Sequence, residues 1–145
     1  MKKIIVGLVS AILFAATAQA GQGPTIGDVL VATNATDPRL PEGFTRVTGS
    51  MTGVRFTDDD VQQIGCRIAS DRGAIPFLAC FARDINANDY GCFSFDPALI
   101  DAAKAISPYS FIRFVFDGTG ECVFLGPSTR SIHIPDKDTV KGKQD

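Results

Sequence analysis

The residues with the clearest chemistry in this 145-residue chain are its four cysteines, Cys66, Cys80, Cys92 and Cys122. Cysteines that bind structural zinc usually come in close pairs, with roughly two to four residues between the ligands. The spacings here are 14, 12 and 30 residues, so no such pair is present. An even number of widely spaced cysteines is typical of disulfides in an exported protein. We therefore predict two disulfide bonds and no metal site at these cysteines.

The spacing leaves all three pairings of the four cysteines open. Cys80 and Cys92 are equidistant from Asn86 in one predicted turn, and Cys66 and Cys80 are equidistant from Gly73 in another. Either pair could therefore face its partner across a hairpin. Of the three pairings, we favour Cys80–Cys92 together with Cys66–Cys122.

A second candidate for chemistry is the segment 84–89, which reads DINAND. Asp84, Asn86 and Asn88 offer side-chain oxygens at alternate positions, as the opening of a calcium-binding loop does. However, Asp89 stands where that loop has glycine, and Phe95 stands where it has the closing glutamate. A hairpin turn explains the same residues, so we expect no metal or other cofactor. A calcium-dependent module remains one alternative function.

Residues for catalysis are sparse. His133 is the only histidine and lies close to the C-terminus, where a surface or rim position is the favoured interpretation. Two carboxylates could still hydrolyse a glycosidic bond without histidine. Five acidic residues lie at predicted turns, caps or strand starts: Asp84, Asp89, Asp96, Asp117 and Glu121. A small carboxylate-dependent hydrolase of the cell envelope is therefore a second alternative, and a non-catalytic protein is favoured.

The N-terminal residues 1–20 have the three parts of a secretory signal peptide. Lys2 and Lys3 precede an apolar stretch over 4–16, and Ala18-Gln19-Ala20 fits a cleavage site before Gly21. We expect export to the periplasm or beyond it in a bacterium. No later segment approaches the roughly 18 apolar residues of a membrane span, so none is expected in the mature chain.

The overall composition is that of an ordinary globular domain, with 45% hydrophobic and 21% charged residues. The formal net charge is −2, and removal of the leader's two lysines makes it more negative. Nucleic-acid binding needs clustered lysine and arginine, so we expect no nucleic-acid partner.

Hydrophobic periodicity divides the mature chain into an irregular lead-in, one domain and a tail. The lead-in covers 21–43 and includes one possible short strand. The domain covers 44–134, and a disordered tail follows over 135–145. Predicted strands cover 44–56, 61–68, 75–82, 90–95, 109–116, 121–125 and a short edge at 131–134. One helix, capped by Asp96, covers 97–106.

This order of elements has no alternation of strands and helices, which argues against a parallel doubly wound sheet. We predict a mainly antiparallel α+β fold with one helix before the last two main strands. It would form either a small curled sheet or an OB-like barrel.

Phenylalanine is concentrated in the same region, with eight of the eleven between Phe77 and Phe124. The strand 75–82 is apolar on both faces, which predicts that both faces are covered or that it lies centrally in a closed sheet. The favoured interpretation is that phenylalanine fills a core that lacks tryptophan. The alternative is an exposed aromatic patch that binds a partner.

The runs GSMTGVR, IGC, CFARD, YGCFSFDP and IRFVFDGTGEC resemble a pattern found in small exported bacterial four-cysteine proteins of unknown activity. The resemblance covers roughly residues 48–125. It implies an exported domain stabilised by disulfides, and it implies no site residues. From the residues and the resemblance together, we expect a non-catalytic binding protein, such as an inhibitor, with a protein or another envelope component as partner.

Overall fold

The structure is a computed structural model that describes residues 28–56 and 59–133. The predicted leader, its cleavage site and the whole of the predicted tail over 135–145 lie outside the described residues. The strands are β1 Leu30–Thr33, β2 Thr45–Ser50, β3 Gln63–Ala69, β4 Phe77–Arg83, β5 Asp89–Ser94, β6 Phe111–Phe116 and β7 Cys122–Ser128. Two short helices, α1 Met51–Arg55 and α2 Pro97–Ala103, and a 3-10 turn, Ser131–His133, complete the described elements. The predicted α+β class is confirmed.

The strands form two antiparallel sheets. One has the order β1-β2-β6-β7 and the other the order β3-β4-β5. A single parallel bridge between Phe93 and Glu121 joins β5 to the start of β7. The sheets do not close into a barrel, so the structure has the curled-sheet form of the prediction and not the OB-like barrel.

The lead-in belongs to the folded unit. Its strand β1 pairs with β2, and Val29 and Leu40 are both buried. The side-chain oxygen of Gln62 accepts a hydrogen bond from the Val29 N–H at 2.7 Å, which ties the start of the described chain to β3. The domain boundary predicted at residue 44 therefore lies too late.

The long bent strand predicted over 44–56 ends at Ser50, and α1 follows. The Ser50 hydroxyl accepts a hydrogen bond from the Gly53 N–H at 3.0 Å, which caps the new helix. A Cβ on Gly49 would stand 3.2 Å from Cδ1 of Ile64, so glycine allows β2 to approach β3 closely. The prediction was wrong over 51–56 because a local serine cap competes with strand pairing there.

The core lies between the two sheets. It takes Val47, Ile112 and Phe114 from one sheet and Leu78 and Ala82 from the other. The helix α2 packs against β3, β4 and β7 and adds Ile100 to this core. The predicted cap is present, since the Asp96 carboxylate accepts a hydrogen bond from the Ala98 N–H at 2.8 Å.

The end of the described chain differs from the prediction. Strand β7 reaches Ser128, and the edge strand predicted at 131–134 is instead the 3-10 turn Ser131–His133. Its His133 ring stacks on Phe111 of β6, with centroids 4.5 Å apart. This segment therefore packs its histidine ring against the face of the sheet instead of pairing its backbone with an edge strand.

Candidate functional site

The two disulfides join Cys66 to Cys80 and Cys92 to Cys122. The presence of two bonds is confirmed, but the favoured pairing of Cys80 with Cys92 and of Cys66 with Cys122 was wrong. Cys80 lies opposite both Cys66 and Cys92 in the three-stranded sheet, so equidistance from a turn could not decide between them. The deciding contact is the bridge from β5 to the start of β7, which brings the Cα atoms of Cys92 and Cys122 within 5.1 Å.

The calcium candidate is a hydrogen-bonded turn. One carboxylate oxygen of Asp84 accepts hydrogen bonds from the backbone N–H groups of Asn86 and Asn88, each at 2.9 Å. The other accepts hydrogen bonds from the Asn88 side-chain amide at 3.0 Å and the Tyr90 hydroxyl at 3.1 Å. The hydrogen bonds from Asn88 are the main reason that the pKa of Asp84 is lowered.

This turn leaves little for a cation, because four donors already occupy the carboxylate and Asn88 presents its N–H side to it. Within residues 28–56 and 59–133, no group of three or more acidic, histidine or cysteine side chains is placed to hold a metal ion.

The carboxylates that could catalyse hydrolysis also have local structural partners. Asp89 receives two hydrogen bonds from Arg83, which lower the pKa of Asp89. Asp117 receives hydrogen bonds from the side chain and backbone of Thr119, which lower the pKa of Asp117. A general acid needs a raised pKa instead. Asp84 and Asp89 lie at the two ends of the β4–β5 turn, and Asp117 and Glu121 share the β6–β7 turn, where the Asp117 carboxylate accepts a hydrogen bond from the Glu121 N–H at 3.2 Å. The fifth candidate, Asp96, caps α2.

The most distinctive surface is the outer side of the three-stranded sheet. Along β4, Leu78, Cys80 and Ala82 point into the core, so Phe77 and Phe81 point outward. Phe93 and Phe95, at the end of β5 and just after it, lie on the same side. We call the four residues Phe77, Phe81, Phe93 and Phe95 the aromatic face.

Phe95 is in ring contact with Phe77 and Phe93, and three of the four rings are about half exposed. Phe95 lies 6.1 Å from Phe77 and 6.3 Å from Phe93, measured between ring centroids. The exposed fractions are 49% for Phe81, 50% for Phe93 and 55% for Phe95. Exposed aromatic rings grouped on one side of a sheet are typical of a binding surface.

Glycines on both neighbouring strands keep Phe81 uncovered. Gly65 of β3 and Gly91 of β5 lie directly opposite Phe81 in register. The ring lies over Gly65, where an added Cβ would stand 3.8 Å from it. Because neither neighbour has a side chain, the ring remains available to a partner.

Charged groups lie beside the aromatic face at two places. Arg67 of β3 lies opposite Ala79 of β4, and the ion pair of Arg83 with Asp89, at 2.7 Å, lies at one end of the face. Beyond Phe81, a cleft of about 660 Å³ opens between α1 and β3. The surface therefore has an apolar centre and a charged rim, as protein interfaces do.

The prediction that strand 75–82 is covered on both faces was wrong, and so was the favoured assignment of the phenylalanines to the core for several of them. Phe114 is fully buried, whereas Phe81, Phe93, Phe95 and Phe124 are exposed. The alternation of β4 and the glycines opposite Phe81 were the signals that could have revealed the aromatic face.

No family model, curated protein or solved structure matches this chain. Among the described helices, none is long and apolar enough to cross a membrane.

Proposed function

We propose that this chain is an exported, disulfide-stabilised, non-catalytic binding protein that contacts its partner through the aromatic face. The observation that carries the proposal is the contact between exposed rings on the uncovered side of a sheet. Burial of a phenylalanine side chain is worth roughly 1.5–3 kcal/mol, so several half-exposed rings leave substantial free energy for association.

The shape of this surface favours a protein partner over a small molecule. Small-molecule sites are concave and enclose most of their ligand. The aromatic face instead lies on the open side of a sheet, with Arg67 and the pair of Arg83 and Asp89 at its rim. An aromatic centre inside a polar rim is the arrangement in which a few residues supply most of the binding free energy.

Export is supported by three sequence features and one structural one. The leader over 1–20, the cleavage pattern at Ala20 and Gly21 and the resemblance to small exported four-cysteine proteins all favour it. The two disulfides are compatible with an oxidising compartment. Such a binding protein could act as an inhibitor of another protein of the cell envelope.

The experiment is affinity capture from envelope and culture fractions, with oxidised protein of residues 21–145 as bait and mass spectrometry as the readout. The test variant is Phe81→Ser with Phe93→Ser, which removes two rings from the aromatic face. The matched control is Tyr109→Ser, because Tyr109 is 56% exposed and precedes β6 on the other sheet.

We expect one protein to be retained at stoichiometric amounts by the wild type and the Tyr109 variant, and to be lost with the double variant. Binding of that purified protein should then weaken at least tenfold with the double variant. Equal retention by all three baits would contradict the aromatic face as the contact surface. If no protein is retained by any bait, the proposal that the partner is a protein is contradicted.

A further inference from the structure

The outer side of the four-stranded sheet carries two arginines without acidic partners. Arg113 lies in the middle of β6, opposite Gly126 of β7 and Thr48 of β2. Arg130 follows β7. Both side chains are exposed, and neither forms an ion pair within the described part of the chain. Two unpaired arginines at one place are notable in a chain whose net charge is negative.

These arginines line a pocket of about 230 Å³. The other side chains that line the pocket include the aromatic rings of Phe111, Phe124 and His133 and the hydroxyl of Ser128. None of the described residues that line it is acidic. The pocket therefore combines two positive charges with apolar walls.

Gly126 makes room for one of these walls. An added Cβ on Gly126 would stand 3.0 Å from two ring atoms of Phe124, so the Phe124 ring lies over this glycine. Gly126 is opposite Arg113 in register, which places the Phe124 ring on the arginine side of the strand pair. The other wall is Phe111, with the His133 ring stacked on it at an interplanar angle of 18°.

His133 contributes a polar group without a partner. Its Nε2 is buried and has no hydrogen-bond partner among the described residues. Burial and then the charge of Arg130 lower the pKa of His133, so the imidazole is largely neutral at pH 7. The positive charge of the pocket at neutral pH therefore comes from the two arginines.

We propose that this pocket binds a small phosphate monoester carried on a single planar apolar ring, with the phosphate at Arg113 and Arg130 and the ring beside Phe111 and Phe124. A phosphate monoester carries about −1.5 to −2 charges at pH 7, which matches two arginines, whereas a carboxylate carries one. Guanidinium groups bind phosphate through paired, charge-assisted hydrogen bonds. The volume is below the roughly 300–1,000 Å³ of drug-sized sites, so the ligand is small.

This site is separate from the aromatic face and independent of it, because the two lie on the outer sides of different sheets. The test uses NMR of the single imidazole, since His133 is the only histidine in the chain. Phenyl phosphate is titrated at pH 7 and constant ionic strength, with inorganic phosphate and benzoate as comparison ligands.

We expect a saturable shift of the His133 signals with phenyl phosphate, and a rise in the His133 pKa when the anion is bound. Arg113→Gln and Arg130→Gln should each weaken binding at least tenfold. The matched control is Arg72→Gln, which removes the same charge from an exposed turn. No saturable shift, or equal affinity in the variant that combines both arginine substitutions, would overturn the site.

A second variant tests the aromatic walls separately. Gly126→Ala pushes against the Phe124 ring and leaves both arginines in place. We expect this substitution to weaken the binding of phenyl phosphate several-fold and to leave the affinity for inorganic phosphate unchanged. If wild-type protein binds inorganic phosphate or benzoate as tightly as phenyl phosphate, the ligand class proposed here is wrong.

Discussion

Cys92 lies directly opposite Cys80 across β4 and β5, but its sulfur is bonded to Cys122 of the other sheet. The two disulfides therefore have different roles. The Cys66–Cys80 bond joins neighbouring strands of one sheet, whereas the Cys92–Cys122 bond connects the two sheets. In the chain-entropy model, loops of these lengths contribute about 3 and about 3.7 kcal/mol.

The connectivity can be read from one tryptic digest, because cleavage after lysine and arginine places each cysteine in its own peptide. These peptides are 56–67, 73–83, 84–104 and 114–130. We expect a non-reducing digest to contain 56–67 linked to 73–83, and 84–104 linked to 114–130. Mass spectrometry before and after reduction measures this. A product that links 73–83 to 84–104 would contradict the structure.

The fold class could be predicted from the sequence because it depends on local patterns. These are the alternation of apolar and polar residues along β3 and β6 and the apolar stripe of α2. The sequence was insufficient for the disulfides, since the neighbour relation between β5 and β7 is set by the return of the chain after α2. It was also insufficient for the aromatic face. Whether Phe81 is covered depends on which elements pack on that side of the sheet, and none of the described elements covers it.

Substitutions on the aromatic face should have small effects on stability. Phe81→Ser and Phe93→Ser remove rings that are half in solvent, and each is expected to lower the free energy of unfolding by about 1 kcal/mol or less. Leu78→Ala, at a fully buried position three residues before Phe81 on β4, should lower it by about 2–5 kcal/mol. Urea denaturation measures both. If Phe81→Ser and Leu78→Ala lower the free energy of unfolding by the same amount, the aromatic face is covered by another part of the protein.

Acid should weaken the connection between the lead-in and β2. The buried Asp37 carboxylate accepts two hydrogen bonds from the Arg39 guanidinium, at 2.9 and 3.1 Å, one from the Arg39 backbone N–H at 3.2 Å and one from the Arg46 guanidinium at 2.7 Å. The hydrogen bonds from Arg39 are the main reason that the pKa of Asp37 lies far below its ordinary value. Its contribution is therefore complete above the unfolded pKa of about 3.9 and is lost as the pH falls further.

Asp37→Asn should accordingly lower stability at pH 7 and reduce the loss of stability between pH 4 and more acidic values. Thermal unfolding monitored by circular dichroism as a function of pH measures this. The control is Asp101→Asn, because Asp101 is exposed and pairs only with Lys104 one turn away. The same pH dependence in the Asp37 and Asp101 variants would show that the hydrogen bonds from Arg39 and Arg46 to the buried Asp37 carboxylate do not stabilise the fold.

Calcium should leave the stability of the protein unchanged. The Asp84 carboxylate accepts four hydrogen bonds from Asn86, Asn88 and Tyr90, so a cation would have to displace them. We expect the same unfolding temperature in millimolar calcium and in EDTA. We also expect Tyr90→Phe to lower stability, because it removes one donor from a charged acceptor. A calcium-dependent rise of several degrees that Asp84→Asn abolishes would restore the calcium-dependent alternative.

The pKa of His133 reports directly on the environment of the pocket on the four-stranded sheet. Burial and the nearby Arg130 both oppose protonation, so the pKa should lie below the ordinary value of about 6.5. Because the folded pKa is lowered, the unfolded chain binds more protons between the two values, and stability falls as the pH drops through this range. Arg130→Gln should raise the pKa of His133, whereas Arg72→Gln should not. An NMR pH titration of the single imidazole measures both shifts, and a pKa at or above 6.5 in the wild type would show that His133 is exposed rather than packed against Phe111.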